Sequence, residues 1–211
     1  MPACEQNDGA SVLEHARVGF CDQLKTYHPG RRYVTLRATL TQDVQTLIST
    51  EEIQERVRAL AQDIRRDHPN DLHLICVLKG AFVFLSDLMR SLPGPVTIDF
   101  MALSSYGARS SSSGEVRLLK DLDTGIEGRD VVIVEDIVDS GVTLTYLQDI
   151  LRARGPRTLK TACLLSKPTR RRVDVLVEYV GFTIEDRFVV GYGLDHAEQH
   201  RNLPYIAIAE P

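Results

Sequence analysis

Glu135 and Asp136 stand side by side after four β-branched residues, Val131-Val132-Ile133-Val134, and a third acid, Asp139, follows three residues later. Ser140-Gly141-Val142-Thr143 comes next and opens a helical pattern. This order predicts a core strand ending in acids, a tight turn of small and hydroxyl residues, and a helix N-terminus. Backbone N–H groups at such a junction converge on an anion, and the helix dipole favours it. Carboxylates beside a phosphate cradle would repel the ligand unless they have another task. Three tasks suit them: accepting hydrogen bonds from sugar hydroxyls, holding Mg²⁺, or taking a proton. A phosphate, a diol and a removable proton together describe a phosphorylated ribose substituted at its anomeric carbon. The plain alternative is a buried strand with a solvated acidic turn, but three acids between a core strand and a helix need a partner for their charge.

Other clusters carry weaker signals. Leu78-Lys79-Gly80 directly follows an apolar run. A lysine beside a glycine at a strand end offers a phosphate a point charge and an open N–H, though a solvated lysine accounts for the tripeptide as well. Lys167 follows Leu164-Leu165-Ser166 and heads a basic cluster with Arg170, Arg171 and Arg172, which reads as a solvated turn. The run from Asp186 through Arg187, Phe188 and Val189 to Leu194 and Asp195 is an aromatic strand with a Gly-x-Gly turn, equally suited to a core phenylalanine and a bend. Arg201 alone reads as a surface residue. Ser105-Tyr106 sits near the head of a serine-rich stretch, Ser104–Gly114, that contributes little core and is expected to be mobile.

These residues need elements to position them. Ser49-Thr50-Glu51-Glu52 predicts a capping box, Ile53, Val57, Leu60, Ala61 and Ile64 continue at helical spacing to about Asp67, and Pro69 stops the helix. Leu72–Leu78 reads as a buried strand, Ala81–Ser91 as a helix, Val96–Leu103 as a strand, and Val116–Leu122 as its hairpin partner. The motif strand spans 131–135, and a helix runs from about Val142 to Arg154, closed by Gly155 and Pro156. Thr158–Leu165, Val175–Glu178, Phe188–Val190 and Tyr205–Ala209 read as later strands, and Tyr33–Leu40 as an earlier one. The alternation predicts an α/β protein with a mostly parallel twisted sheet flanked by helices. Ligands of such sheets lie at the carboxyl ends of the strands, so the loops after Leu78, Glu135 and Leu165 should face one site.

The chain has 211 residues, 43% hydrophobic and 26% charged, an ordinary globular balance. With 25 basic and 29 acidic residues its net charge is −4, which favours neither nucleic acid nor an anionic membrane as partner. A phosphate must be held by local geometry. Cys4, Cys21, Cys76 and Cys163 form no C-x-x-C pair or metal-ligand spacing, and a reducing compartment is expected. The first fourteen residues hold three acids and no apolar core of a signal peptide, and the most apolar stretch, His73–Met89, is broken by Lys79-Gly80 and Asp87. The expected location is cytoplasmic.

The motif from Val131 to Thr143 resembles the PRPP-binding motif of type I phosphoribosyltransferases, and together with the other clusters it resembles their hypoxanthine-guanine branch. The resemblance covers Tyr33 to the C-terminus. It implies a phosphoribosyltransferase domain over 33–211, in which about 166–211 contributes base binding to a small hood built from the terminal segments. Residues 1–32 form an unassigned, partly irregular extension. Several roles follow from the resemblance. Asp139, Ser140, Gly141, Val142 and Thr143 hold the 5′-phosphate. Glu135 and Asp136 hold the ribose hydroxyls and, with Asp195, serve Mg²⁺. Asp139 is the base at purine N7. Leu78, Lys79 and Gly80 form a pyrophosphate loop with a cis peptide between Leu78 and Lys79, and Arg201 also meets pyrophosphate. Ile137, Lys167, Phe188, Val189 and Leu194 bind the base, Lys167 through the purine O6. Ser105 and Tyr106 belong to a loop that closes over the reacting centre. The family commonly has Lys where Arg187 stands, so that position carries over weakly.

The implied activity is Mg²⁺-dependent transfer of the phosphoribosyl group of PRPP to hypoxanthine or guanine, giving IMP or GMP and pyrophosphate, in a homodimer or homotetramer. Two alternatives stay open: a xanthine-preferring enzyme, and a PRPP-sensing regulator of the same fold. Some relatives reach peroxisome-like organelles through a C-terminal tripeptide; Ala-Glu-Pro is not one, and that address stays open if a tail is missing here.

Overall fold

The computed structural model describes residues 45–106 and 115–209. The extension over 1–32, the strand expected at 33–40, residues 107–114, and Cys4 and Cys21 lie outside the described residues.

Helix α1 (Thr50–Asp67) begins with the expected capping box: Ser49 Oγ accepts from Glu52 N at 3.2 Å, and Ser49 N donates to the Glu52 carboxylate at 2.8 Å. The strands β2 (Leu72–Leu78), β3 (Val96–Tyr106), β4 (Glu115–Lys120), β5 (Asp130–Val138), β6 (Thr158–Ser166) and β7 (Tyr179–Thr183) form one sheet in the order β4-β3-β2-β5-β6-β7. Every pairing in it is parallel except β3 with β4. Strands β2 and β5 are apolar on both faces because helices cover both. Leu72, Leu74 and Cys76 join the core under α1 and α2 (Phe82–Ser91), while Ile75 and Val77 join the core under α3 (Val142–Arg152). A second, antiparallel sheet has the order β1-β9-β8, with β1 at Gln45–Ile48, β8 at Val189–Val190 and β9 at Ile206–Ile208.

Four expectations change. Strand β5 does not stop at Glu135; β6 keeps pairing with it through Glu135↔Cys163, Ile137↔Leu165 and Val138↔Ser166, after β2 has left at Cys76↔Val134. The two acids therefore lie on a strand with one neighbour, and only 139–141 form the turn. Ser104–Tyr106 extend β3, because β4 pairs with them through Ser105↔Val116 and Tyr106↔Glu115. Val175–Glu178 is not a strand. Its polar groups are met by side chains and amides from elsewhere: Gln148 donates to Leu176 O at 3.0 Å, and Thr161 N donates to Glu178 at 2.8 Å. Strand β1 was not expected; three of its four residues are exposed, so no burial period marks it. Among the described residues no helix is long and apolar enough to cross a membrane.

Candidate active site

The turn between β5 and α3 is built around Gly141. Its φ of 82° lies in the left-handed region, and a Cβ there would sit 2.8 Å from Val175 and 3.2 Å from Val173 O. Only glycine fits both the conformation and the space. No side chain caps α3, so its first amides are open to an anion. A cavity of about 200 Å³ opens at this turn, lined by Glu135, Ile137, Asp139, Ser140 and Thr143 among others.

Glu135 is buried and Asp136 half-buried beside it. Burial pushes the Glu135 carboxyl well above the usual carboxylate range, and the neighbouring Asp136 pushes it further. Burial likewise raises Asp136 to about 6, against the hydrogen bond its Oδ1 accepts from Ile137 N at 2.7 Å. Arg201 lowers Asp136 without undoing that rise, and a pair of acids desolvated together suits a site that takes hydrogen-bond donors from a ligand.

The loop after β2 touches this pair. The Leu78–Lys79 peptide is cis, as expected. A Cβ on Gly80 would stand 1.5 Å from Asp136 Oδ2, and one on Gly193 would stand 2.1 Å from Gly80 O. Asp136, Gly80 and Gly193 are thus stacked, which brings the Gly191-Tyr192-Gly193 turn against the loop after β2. Arg201 donates to Gly193 O at 2.8 Å and pairs with Asp195 at 2.7 Å. Lys79 Nζ lies 3.0 Å from Glu198.

On the opposite side, Lys167 is buried and donates to Arg187 O at 2.6 Å, with Asp186 at 3.7 Å. Its own N–H donates to Val138 O at 3.0 Å, which fixes the loop after β6 to the end of β5. The Phe188 ring is 40% exposed and meets His196 edge-on at 5.1 Å between centroids. The Val189 and Leu194 side chains are buried, so only their backbones can meet a ligand. For Val189 the geometry allows it. Ala209 N donates to Phe188 O at 3.0 Å, and Val189 is paired with Ile208. The alternation of an antiparallel ladder then turns the Val189 N–H and C=O away from β9, on the outer side of the terminal strand β8.

The family model of the phosphoribosyl transferase domain matches residues 46–197. The chain is 49% identical to the hypoxanthine-guanine phosphoribosyltransferase of Bacillus subtilis over 166 residues, which cover 78% of this chain and 92% of the relative. It is 50% identical to that of Mycobacterium tuberculosis over 172 residues, covering 78% of this chain and 85% of the relative. A crystal structure of a hypoxanthine-guanine phosphoribosyltransferase from Bacillus anthracis matches with a TM-score of 0.76 and 50% identity, covering 80% of this chain and 100% of that one. The chain belongs to the hypoxanthine-guanine phosphoribosyltransferase family.

Within this phosphoribosyltransferase, the arginines read as a solvated turn are tied to the motif. Arg170 Nε lies 3.1 Å from Asp139 Oδ1 and its Nη1 3.4 Å from Asp186. Arg171 donates to Val138 O and Asp139 O at 2.5 and 2.6 Å and to Ser166 Oγ at 3.0 Å. Arg172 N donates to Ser140 O at 2.9 Å. The 139–141 turn is therefore braced from the residues after β6. Ser105 and Tyr106 are placed only as the end of β3. No group of three His, Cys, Asp or Glu among the described residues forms a ready metal cage. Mg²⁺ keeps several waters and takes one or two carboxylates beside substrate phosphates. Glu135 and Asp136 would offer it hard oxygen donors. Asp195 is already held by Arg201 and by Glu198 N at 2.9 Å.

Proposed function

We propose that this chain transfers the 5-phosphoribosyl group of PRPP to hypoxanthine or guanine, giving IMP or GMP and pyrophosphate. The observation that carries this reading is the carboxyl end of β5, where two desolvated acids stand beside an uncapped helix N-terminus. A ribose diol and a 5′-phosphate on one molecule meet both needs. The amides of 139–143, with the hydroxyls of Ser140 and Thr143, take the phosphate. Glu135 and Asp136 accept from the 2′- and 3′-hydroxyls.

The purine lies between Ile137 and Phe188. Stacking alone treats all purines alike, so selection falls to hydrogen bonds: Lys167 donates to O6, and the Val189 backbone meets the base edge. Leu78, Lys79, Gly80 and Arg201 take the pyrophosphate, and Leu194 stands with the base-binding residues. In the reaction N9 of the purine bonds to C1′ as the bond from C1′ to the pyrophosphate oxygen breaks, and Asp139 accepts the N7 proton. Mg²⁺, when bound near Glu135, Asp136 and Asp195, supplies charge that stabilises the departing pyrophosphate. Positive charge builds on the ribose, so closure of the segment headed by Ser105 and Tyr106 would protect it from water. In this reading 33–211 is the transferase domain, the small sheet is its hood, and the enzyme is a cytoplasmic homodimer or homotetramer.

The test offers hypoxanthine, guanine, xanthine and adenine separately with PRPP and Mg²⁺ and assays nucleotide and pyrophosphate. IMP and GMP without AMP is the expected result. A dominant XMP signal would move the substrate to xanthine, and no nucleotide from any base alongside PRPP binding would sink the enzymatic reading.

A further inference from the structure

Lys79 and Arg201 share a partner. Glu198 puts Oε2 3.0 Å from Lys79 Nζ and Oε1 3.4 Å from the Arg201 guanidinium. One carboxylate thus places one oxygen on each of two cations, as a multidentate anion would. The Lys79 pairing holds the Glu198 carboxyl below its ordinary range. Asp195 completes the arrangement, with Oδ1 2.7 Å from Arg201 and Oδ2 accepting from Glu198 N at 2.9 Å.

The backbone that presents Glu198 is unusual. His196 and Gln199 exchange hydrogen bonds of 3.2 and 3.0 Å, and between them Ala197 and Glu198 have φ of 51° and 63°. Two successive positive φ values at the centre of a two-residue turn form the pattern that glycine and asparagine normally fill. His200 follows at φ 74°. Alanine, glutamate and histidine hold such conformations only where surrounding contacts impose them. Core burial does not impose this one, since the Glu198 side chain is 66% exposed. Its side chain is held by Lys79 and Arg201, beside the bond from Glu198 N to Asp195.

We propose that Glu198 is an internal stand-in for pyrophosphate, bridging Lys79 and Arg201 in the free enzyme and leaving both when the diphosphate of PRPP arrives. The inference rests on the reading of Lys79 and Arg201 as pyrophosphate ligands. Apparent affinity for the diphosphate is then reduced by the share of molecules in which Glu198 occupies the cations. After transfer, the same carboxylate competes with the product pyrophosphate, and its return favours release.

Inorganic pyrophosphate titrated calorimetrically into the full chain in magnesium buffer reads this directly. E198Q keeps side-chain size and removes the charge. It should bind pyrophosphate about three- to tenfold more tightly, the range two partly exposed ion pairs supply. The KM for PRPP should fall by a similar factor and the KM for the purine should not move. Unchanged or weaker pyrophosphate binding by E198Q overturns the stand-in, as does a lowered Tm without tighter binding, which would mark Glu198 as holding the turn only. K79A made in the E198Q background separates the two readings. Loss of affinity there keeps Lys79 as a ligand whatever E198Q does; affinity equal to E198Q alone removes Lys79 from the pyrophosphate site and the stand-in with it.

Discussion

At the amino end of β5, Asp130 accepts from Arg157 at 2.9 and 2.5 Å and from Thr158 at 2.8 Å, and these bonds, Arg157 first, hold its carboxyl below the usual range. Two other acids of the fold are treated alike. Asp67 is lowered by Lys160 and Tyr179, each at 2.8 Å. In Asp99 burial works upward, but amides of Phe100, Asp123 and Thr124 outweigh it. At the carboxyl end of the same strand, burial raises both Glu135 and Asp136, with Asp136 adding to the rise of Glu135 and Asp195 to that of Asp136. Nine residues of one strand therefore join a saturated acid to two unsaturated ones. Hydrogen bonds made within the chain stabilise the fold; those left for a ligand cost stability and define where the ligand goes.

The sharpest way to separate the two ends is to remove one carboxylate from each. Asp139→Asn at the site end should slow turnover by about a hundredfold, the lower part of what a positioned base contributes. PRPP binding and Tm should stay near wild type, since Asp139 is half-exposed and among the described residues only Arg170 holds its side chain. A kcat unchanged across the pH range would take Asp139 out of the base role. Asp130→Ala at the other end should behave oppositely. It strips Arg157 and Thr158 of their acceptor and should cost about 2–3 kcal/mol, below the range for a wholly buried pair because Arg157 is half in solvent. That corresponds to a Tm lower by roughly 5–10 °C for a chain of this size. Turnover should remain near wild type. Calorimetry and steady-state kinetics on both variants check this, and lost activity in a stably folded Asp130→Ala would erase the distinction between the ends.

The two ends also differed in how far the chain alone revealed them. The capping box of α1 and the run of β2 depend on residues close in sequence, and both were legible; the cis Leu78–Lys79 peptide was expected from the family resemblance alone. The motif strand was legible as a strand but not in its length, because where β5 ends is decided by β6 and not by its own pattern. Val175–Glu178 carried the β-branched content of a strand, yet Val173 and Val175 close on Gly141 instead. Arg170 and Arg171 reach residues 31 to 33 positions away, a partnership that leaves no period on the arginines. Glu198 was missed for another reason: Ala197-Glu198 is not a residue pair that signals its own turn. The three acids of the motif thus stood out by type and spacing, and the residues that hold them did not.

The smallest predicted effect tests the energetic half of the comparison, through Asp136→Asn. An acid whose pKa is about 6 in the folded chain and about 3.9 in the unfolded chain keeps its proton longer when folded. Its contribution to stability is therefore best below pH 4, falls as pH rises to 6, and stays low above that. Asp130, Asp67 and Asp99 have the opposite sign: their contributions are present above pH 4 and are lost as pH falls through their lowered pKa values. His68 and His73, lowered chiefly by burial, also withdraw stability as pH falls below about 6.5. These slopes oppose that of Asp136 between pH 4 and 6, so the difference between variant and wild type is the useful quantity. Asparagine preserves the contact with Gly80 and removes the charge. At pH 8 the free variant should be more stable by about 1–2 kcal/mol, less than the full shift would give because solvent reaches a half-buried carboxyl. The Tm gain, roughly 3–6 °C, should shrink towards zero by pH 4, while PRPP binding weakens. A gain that does not vary with pH, or a loss at pH 8, would mean that Asp136 is satisfied in the free protein and that the two ends of β5 do not differ in the way their hydrogen bonds indicate.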